Sequence, residues 1–138
     1  MPCPRRGCGL SKKNIASQLM AKAQMDLNTV SELLSKSDLH LIGHEIMGFH
    51  LQQAVEKSTK ALLSQNNIHY EFKHSLKNLF ELVNTKLTII PHHFLPLLEL
   101  TPYATTLRYT AMVPQDLFDC GSTFTLASDY MDWIASMM

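Results

Sequence analysis

The stretch GFHLQQAVEKSTKALLSQNNIHYEFKHSLKNL, Gly48 to Leu79, decides how this chain is read. From Met47 just before it, Leu51, Ala54, Val55, Ser58, Ala61 and Leu62 recur through it on the spacing of one helix face. His50, Gln53, Lys57, Lys60 and Ser64 make a second line, within about 80 degrees of arc at 3.6 residues per turn. Glu56 stands at its edge, four residues before Lys60, the favourable order for a helix salt bridge. A solvated face explains such a line. So does an anion site, with two ammonium groups one turn apart on phosphate oxygens and Gln53 reading a base or ribose.

Working outward, the periodicity predicts this helix over His40 to Ser64, stopped by the turn-prone Asn66-Asn67. An earlier helix, Lys12 to Leu34, carries Ile15, Leu19, Ala23, Leu27, Val30 and Leu34 on one stripe. A third starts near Ser75, with Leu76, Leu79, Phe80, Val83 and Leu87 inward. Pro91, Pro96 and Pro102 divide the next segment, because proline lacks an amide hydrogen and suits only a first turn. Thr101-Pro102 reads as N-cap and first position of a helix bearing Tyr103, Ala104, Leu107 and Arg108. MVPQDLFDCGS reads as a loop. Ser122 or Thr123 is expected to cap a last helix with Phe124, Ala127, Met131, Ile134 and Met138 inward. KLTIIP alone looks strand-like. The expected fold is an all-α, up-and-down antiparallel bundle of four to five helices over residues 11–138, behind a flexible tail of residues 1–10.

Bulk chemistry narrows function by exclusion. Twelve basic and twelve acidic side chains cancel in 138 residues, so no global field draws the chain to nucleic acid or membrane. Anion binding therefore needs a local arrangement. Cys3, Cys8 and Cys120 are too few and too scattered for a disulfide framework, and Cys3-x4-Cys8 lacks the second ligand pair of a zinc site. The positive start has no apolar stretch behind it, and no run reaches the ~18 apolar residues of a membrane span. A cytoplasmic, membrane-free protein is expected, with no metal and no cofactor. His40 and His44 lie four apart, but HLIGHE lacks the glutamate of a zinc-protease helix; with His92-His93 they read as surface residues. Methionines such as Met131 read as bundle filler.

FHLQQAVEKSTKALLSQNNIHYEFKHSLKNLFEL followed by LTPYATTLRYT resembles the HEPN domain (higher eukaryotes and prokaryotes nucleotide-binding). Phe49, His50, Gln52, Gln53, Ala54, Glu56, Lys57, Lys60, Ala61, Leu62 and Leu63 match its first block. His74, Ser75 and Leu76 match the second. Leu100, Thr101, Tyr103, Ala104, Arg108 and Tyr109 match the third. The resemblance implies a four- or five-helix bundle, commonly a homodimer, often beside a minimal nucleotidyltransferase-fold protein in a toxin–antitoxin cassette. Some members are ribonuclease toxins; others bind nucleotides without known cleavage. Fold alone does not choose among these.

HEPN ribonucleases resemble one another in R-x4-6-H, where a histidine moves a proton and an arginine stabilises phosphorane charge without metal. His74 has the histidine's place, but the arginine positions fall on Asn67, Ile68 and His69. Arg5 and Arg6 lie in the tail, and Lys73 lacks the guanidinium fork. The leading expectation is therefore a nucleotide or other polyanion held between the second, third and fourth helices. Lys57, Lys60 and Arg108 would take phosphate, Gln53 a polar edge, Tyr103 or Tyr109 a stacked base, and His74 orientation or protonation. The alternatives are a metal-independent RNase toxin using His74 with Arg108 as a displaced cation, with RNA as substrate, and a pure protein-interaction module pairing with a nucleotidyltransferase.

Overall fold

The computed structural model describes residues 12–36, 41–71, 75–104 and 118–138. They form α1 (Lys12–Leu34), α2 (Leu41–Gln65), α3 (Leu76–Lys86), a 3-10 segment (His92–Leu100), α4 (Thr101–Ala104) and α5 (Cys120–Ser136). The fold is all-α, with no strand among the described residues. None of the described helices is long and apolar enough to cross a membrane.

α2 is the central rod. α1, α3, α4, α5 and the 3-10 segment all pack on it. The reason is visible in its side chains: Leu51, Ala54, Val55, Ala61, Leu62 and Leu63 are fully buried, and so are Gln52, Ser58 and Thr59. A helix wetted on one side only would bury a third of its residues. α2 buries much more, which obliges it to satisfy polar groups inside the protein. Ser58 and Thr59 do so locally, donating to the Ala54 and Val55 carbonyls. Thr59 also meets the Tyr130 hydroxyl of α5 at 2.6 Å. Burial pushes that phenol's pKa far above its ordinary value. Tyr130 stacks on Phe80 of α3 and meets Phe94 of the 3-10 segment edge-on, so one aromatic cluster joins three elements.

Local signals set the element ends. α2 stops where expected: Asn67 has φ 62°, and Ile68 N–H donates back to the Leu63 carbonyl at 2.9 Å. That is the left-handed stop a short amide side chain tolerates. Ser75 caps α3, its hydroxyl accepting from Asn78 N–H. In the 3-10 segment Phe94, Leu97 and Leu100 are buried, matching a period of three residues per turn.

Several expectations need correction, among them Thr101, which is helical itself rather than an extended cap. α5 begins at Cys120 rather than after Ser122, because the Asp119 carboxylate accepts from Gly121 and Ser122 N–H. These bonds favour the ionised form and lower the Asp119 pKa, the Ser122 hydroxyl contributing most. Leu87 is exposed, since α3 ends one residue earlier. Met138 is also exposed, beyond the end of α5. KLTIIP is the tail of α3 and an irregular link, fixed where Ile90 N–H donates to the Asn84 side chain at 2.7 Å.

Gly48 lets α4 approach α2. A Cβ there would lie 2.6 Å from Tyr103 Cε1 and 2.7 Å from Cγ, against a ring wedged beside Phe118 and His44. Gly48→Ala should therefore lower stability by about 1–3 kcal/mol, the cost of overpacking, despite alanine's better helix propensity. Urea unfolding checks the sign; a stabilised variant would mean that Tyr103 yields freely.

Candidate functional site

Asp26 supplies what the α2 line responds to. It sits on α1 among the inward residues Ala23, Leu27 and Val30, its side chain only 10% exposed. A carboxylate placed there must be paired to stay ionised. Lys57 Nζ donates to Oδ2 at 2.7 Å, and His50 Nδ1–H donates to Oδ1 at 2.8 Å. Two residues of the predicted line, seven apart on α2, thus close on one acid of the neighbouring helix. The carboxylate is acceptor-only, so the imidazole hydrogen is on Nδ1.

The rest of the line has a second acid. Glu56 is buried and accepts from Gln52 Nε2 at 2.8 Å and from Lys60 Nζ at 2.9 Å. Gln53 Nε2 donates to Gln52 Oε1 at 2.7 Å, continuing the chain of bonds. Beyond Glu56, Lys60 Nζ lies 5.5 Å from the centroid of the Tyr70 ring, within cation–π range. The Tyr70 hydroxyl meets Ser64 Oγ at 3.1 Å. Lys57 and Lys60 therefore serve different carboxylates. The line holds charge, and that charge is the protein's own.

Beside it lies a cleft of ≈ 410 Å³. His69, Tyr70 and Glu71 line it from the chain after α2, and Asn78, Glu81 and Leu82 from α3. Tyr70 thus belongs both to the bonded line and to the cleft. Ser75, also at its edge, starts the α3 turn. From there Leu76 N–H donates to Thr101 Oγ1 at 3.3 Å, tying the start of α3 to the start of α4. Two of the motif blocks are thereby brought into direct contact.

Of the expected site residues, Gln53, Lys57 and Lys60 are half-buried on α2 and bonded as described. Tyr103 is buried, its ring edge-on to Phe118 at 5.1 Å. Its outer edge borders a smaller hollow of ≈ 140 Å³ with Phe118 and Glu99. His74, Arg108 and Tyr109 lie outside the described residues, as do Lys73 and His40. His44, expected at the surface, is buried instead, with Nε2–H donating to the Phe118 carbonyl at 2.9 Å. No group of three His, Cys, Asp or Glu placed to hold a metal occurs among the described residues.

Sequence reasoning missed Asp26, Glu56 as a buried acid, and Tyr70. Asp26 had a signal: an ionisable residue three after Ala23 and four before Val30 sits on an apolar stripe and demands a partner. Tyr70 stood in a polar connection, with nothing to set it apart from its neighbours.

With the geometry in place, comparison with known proteins adds one finding. A family model for the HEPN domain matches residues 16–136, most of the chain. No curated protein and no solved structure matches it.

The Asp26–Lys57 pair yields a quantitative expectation. In a cycle of Asp26→Ala, Lys57→Met and the double variant, the coupling should be about 1 kcal/mol or more, as for bonded groups away from bulk water. Chemical denaturation measures it. A coupling indistinguishable from zero would return the pair to the class of solvated ion pairs.

Proposed function

Because the chain belongs to the HEPN domain family, we propose that it is a nucleotide-binding module whose ligand sits in the cleft between residues 69–71 and α3. The observation that carries this is the cleft's place: an opening of small-ligand size along α3 from Ser75 to Thr85, whose first α3-side lining residue, Ser75, belongs to the second matching block. Gln53, Lys57 and Lys60, expected as direct contacts, serve in this reading as the frame behind the cleft. His74 is the residue just before Ser75 and remains the group proposed for orientation, or for catalysis if RNA is cleaved. Arg108 and Tyr109, which follow α4 in the chain, remain proposed contacts.

Binding without cleavage is the favoured activity. Metal-free RNA cleavage needs a cation on the phosphorane as well as a proton acceptor. Asn67, Ile68 and His69 occupy the positions where the arginine of R-x4-6-H would stand. Purified protein with EDTA should leave single-stranded RNA intact, while calorimetry detects a nucleoside or nucleotide. Leu82→Trp, which fills the cleft, should abolish that heat. Cleavage lost on His74→Ala would establish the RNase reading instead.

A second reading, as a homodimer or as the partner of a nucleotidyltransferase-fold protein, is favoured by exposed apolar side chains after α3. Ile89 is 68% exposed, and Leu87 and Leu95 are exposed beside it in sequence. Scattered apolar exposure is ordinary, but three such side chains within nine residues suit an interface. Light scattering should give twice the chain mass, and Ile89→Asp should reduce it to the monomer. A monomeric wild-type chain would leave only the heterologous partner.

A further inference from the structure

We propose that the cleft takes the nucleoside end of its ligand against the ring of Tyr70, with Lys60 as that ring's positioning residue and the phosphates left outside. The inference rests on reading the cleft as the binding site. It adds which part of the ligand enters and what holds the surface it meets.

Tyr70 is anchored at both ends. Its hydroxyl meets Ser64 at 3.1 Å, and the Lys60 ammonium lies 5.5 Å from its ring centroid. Lys60 is itself held by the buried Glu56, which Gln52 also binds. An aromatic ring fixed in this way loses little freedom when a flat group packs on it. Every nucleobase has such a flat face.

Charge decides which end of a nucleotide goes in. Among the described lining residues the ionisable groups are His69, Tyr70, Glu71 and Glu81, with no lysine or arginine. Glu81 on α3 brings an acceptor-only carboxylate, which repels phosphate oxygens and accepts from the amino group of a base. Lys60, the positive charge that stands against Tyr70, is bonded to Glu56. Lys57 is bonded to Asp26. A volume of ≈ 410 Å³ lies in the range of small-molecule pockets. An amino-bearing nucleoside is the ligand class that fits this lining.

The test is calorimetric titration of the full chain with adenosine, AMP, ATP and uridine at low and moderate salt. Adenosine, AMP and ATP should bind comparably with little salt dependence, and uridine more weakly. Tyr70→Leu should weaken adenosine by about tenfold, the scale of one lost stacking contact, while Tyr70→Phe, which keeps the ring and loses only the Ser64 bond, should weaken it less. Lys60→Met should also weaken it, with Lys60→Arg restoring it, and circular dichroism should show each variant folded. Glu81→Gln should weaken adenosine without tightening ATP.

Affinity that climbs steeply with each phosphate and collapses with salt would overturn the proposal, as would ATP tightened by Glu81→Gln. A folded Tyr70→Leu that binds like wild type, while Leu82→Trp abolishes binding, would sink this inference and leave the cleft reading standing. Unchanged binding in Leu82→Trp, or no binding by any of the four probes, would remove both.

Discussion

A carboxylate on an inward face is the constraint around which the rest of the described structure is arranged. Asp26 projects from α1 into the seam with α2, where an unpaired charge would be costly. His50 and Lys57 answer it from two turns of α2 and so fix the register of one helix against the other. The same solution is repeated further along, with Glu56 buried and Lys60 and Gln52 bonded to it. A helix that every other described element packs against has little wet surface on which to leave such groups. Its polar residues have to be solved within the protein.

Coupling from this frame to the cleft runs through Lys60, and Ser64 adds a second bond to Tyr70. Lys60 neutralises Glu56 and stands against Tyr70, which lines the opening beside α3. A residue far inside the first matching block thus bears on the lining of the cleft. The hydrogen bond from Leu76 to Thr101 performs a comparable service at the head of α3, holding two motif blocks together while the aromatic cluster around Tyr130 fixes the opposite side of α3.

Most of the fold was legible in the sequence, because helix periodicity and end signals are local. The span of α1, the Asn67 stop, the Ser75 cap and the inward face of α2 all follow from spacing and side-chain chemistry. The start of α5 was misjudged because Asp119, Ser122 and Thr123 are all competent caps, and only the backbone geometry chooses. The candidate site was less legible. Periodicity placed His50, Gln53, Lys57 and Lys60 on one line, but a line on a helix does not say what faces it. That depended on Asp26, twenty-four or more residues away in the chain, and on the rotation of α1 about its axis. Tyr103 illustrates the same limit: its motif position suggested a stacking surface, while Gly48 allows its ring to be swallowed between α2 and Phe118.

The central claim is that the α2 ammonium groups are bound to internal carboxylates and are not available to an external anion. Nitrogen-15 NMR of the lysine side-chain ammonium groups during titration with inorganic pyrophosphate tests it most directly. Signals of Lys57 and Lys60 should be visible, slow to exchange with water, and unmoved as pyrophosphate is added. Saturable shifts of both resonances, at a concentration that leaves the fold intact, would contradict the account.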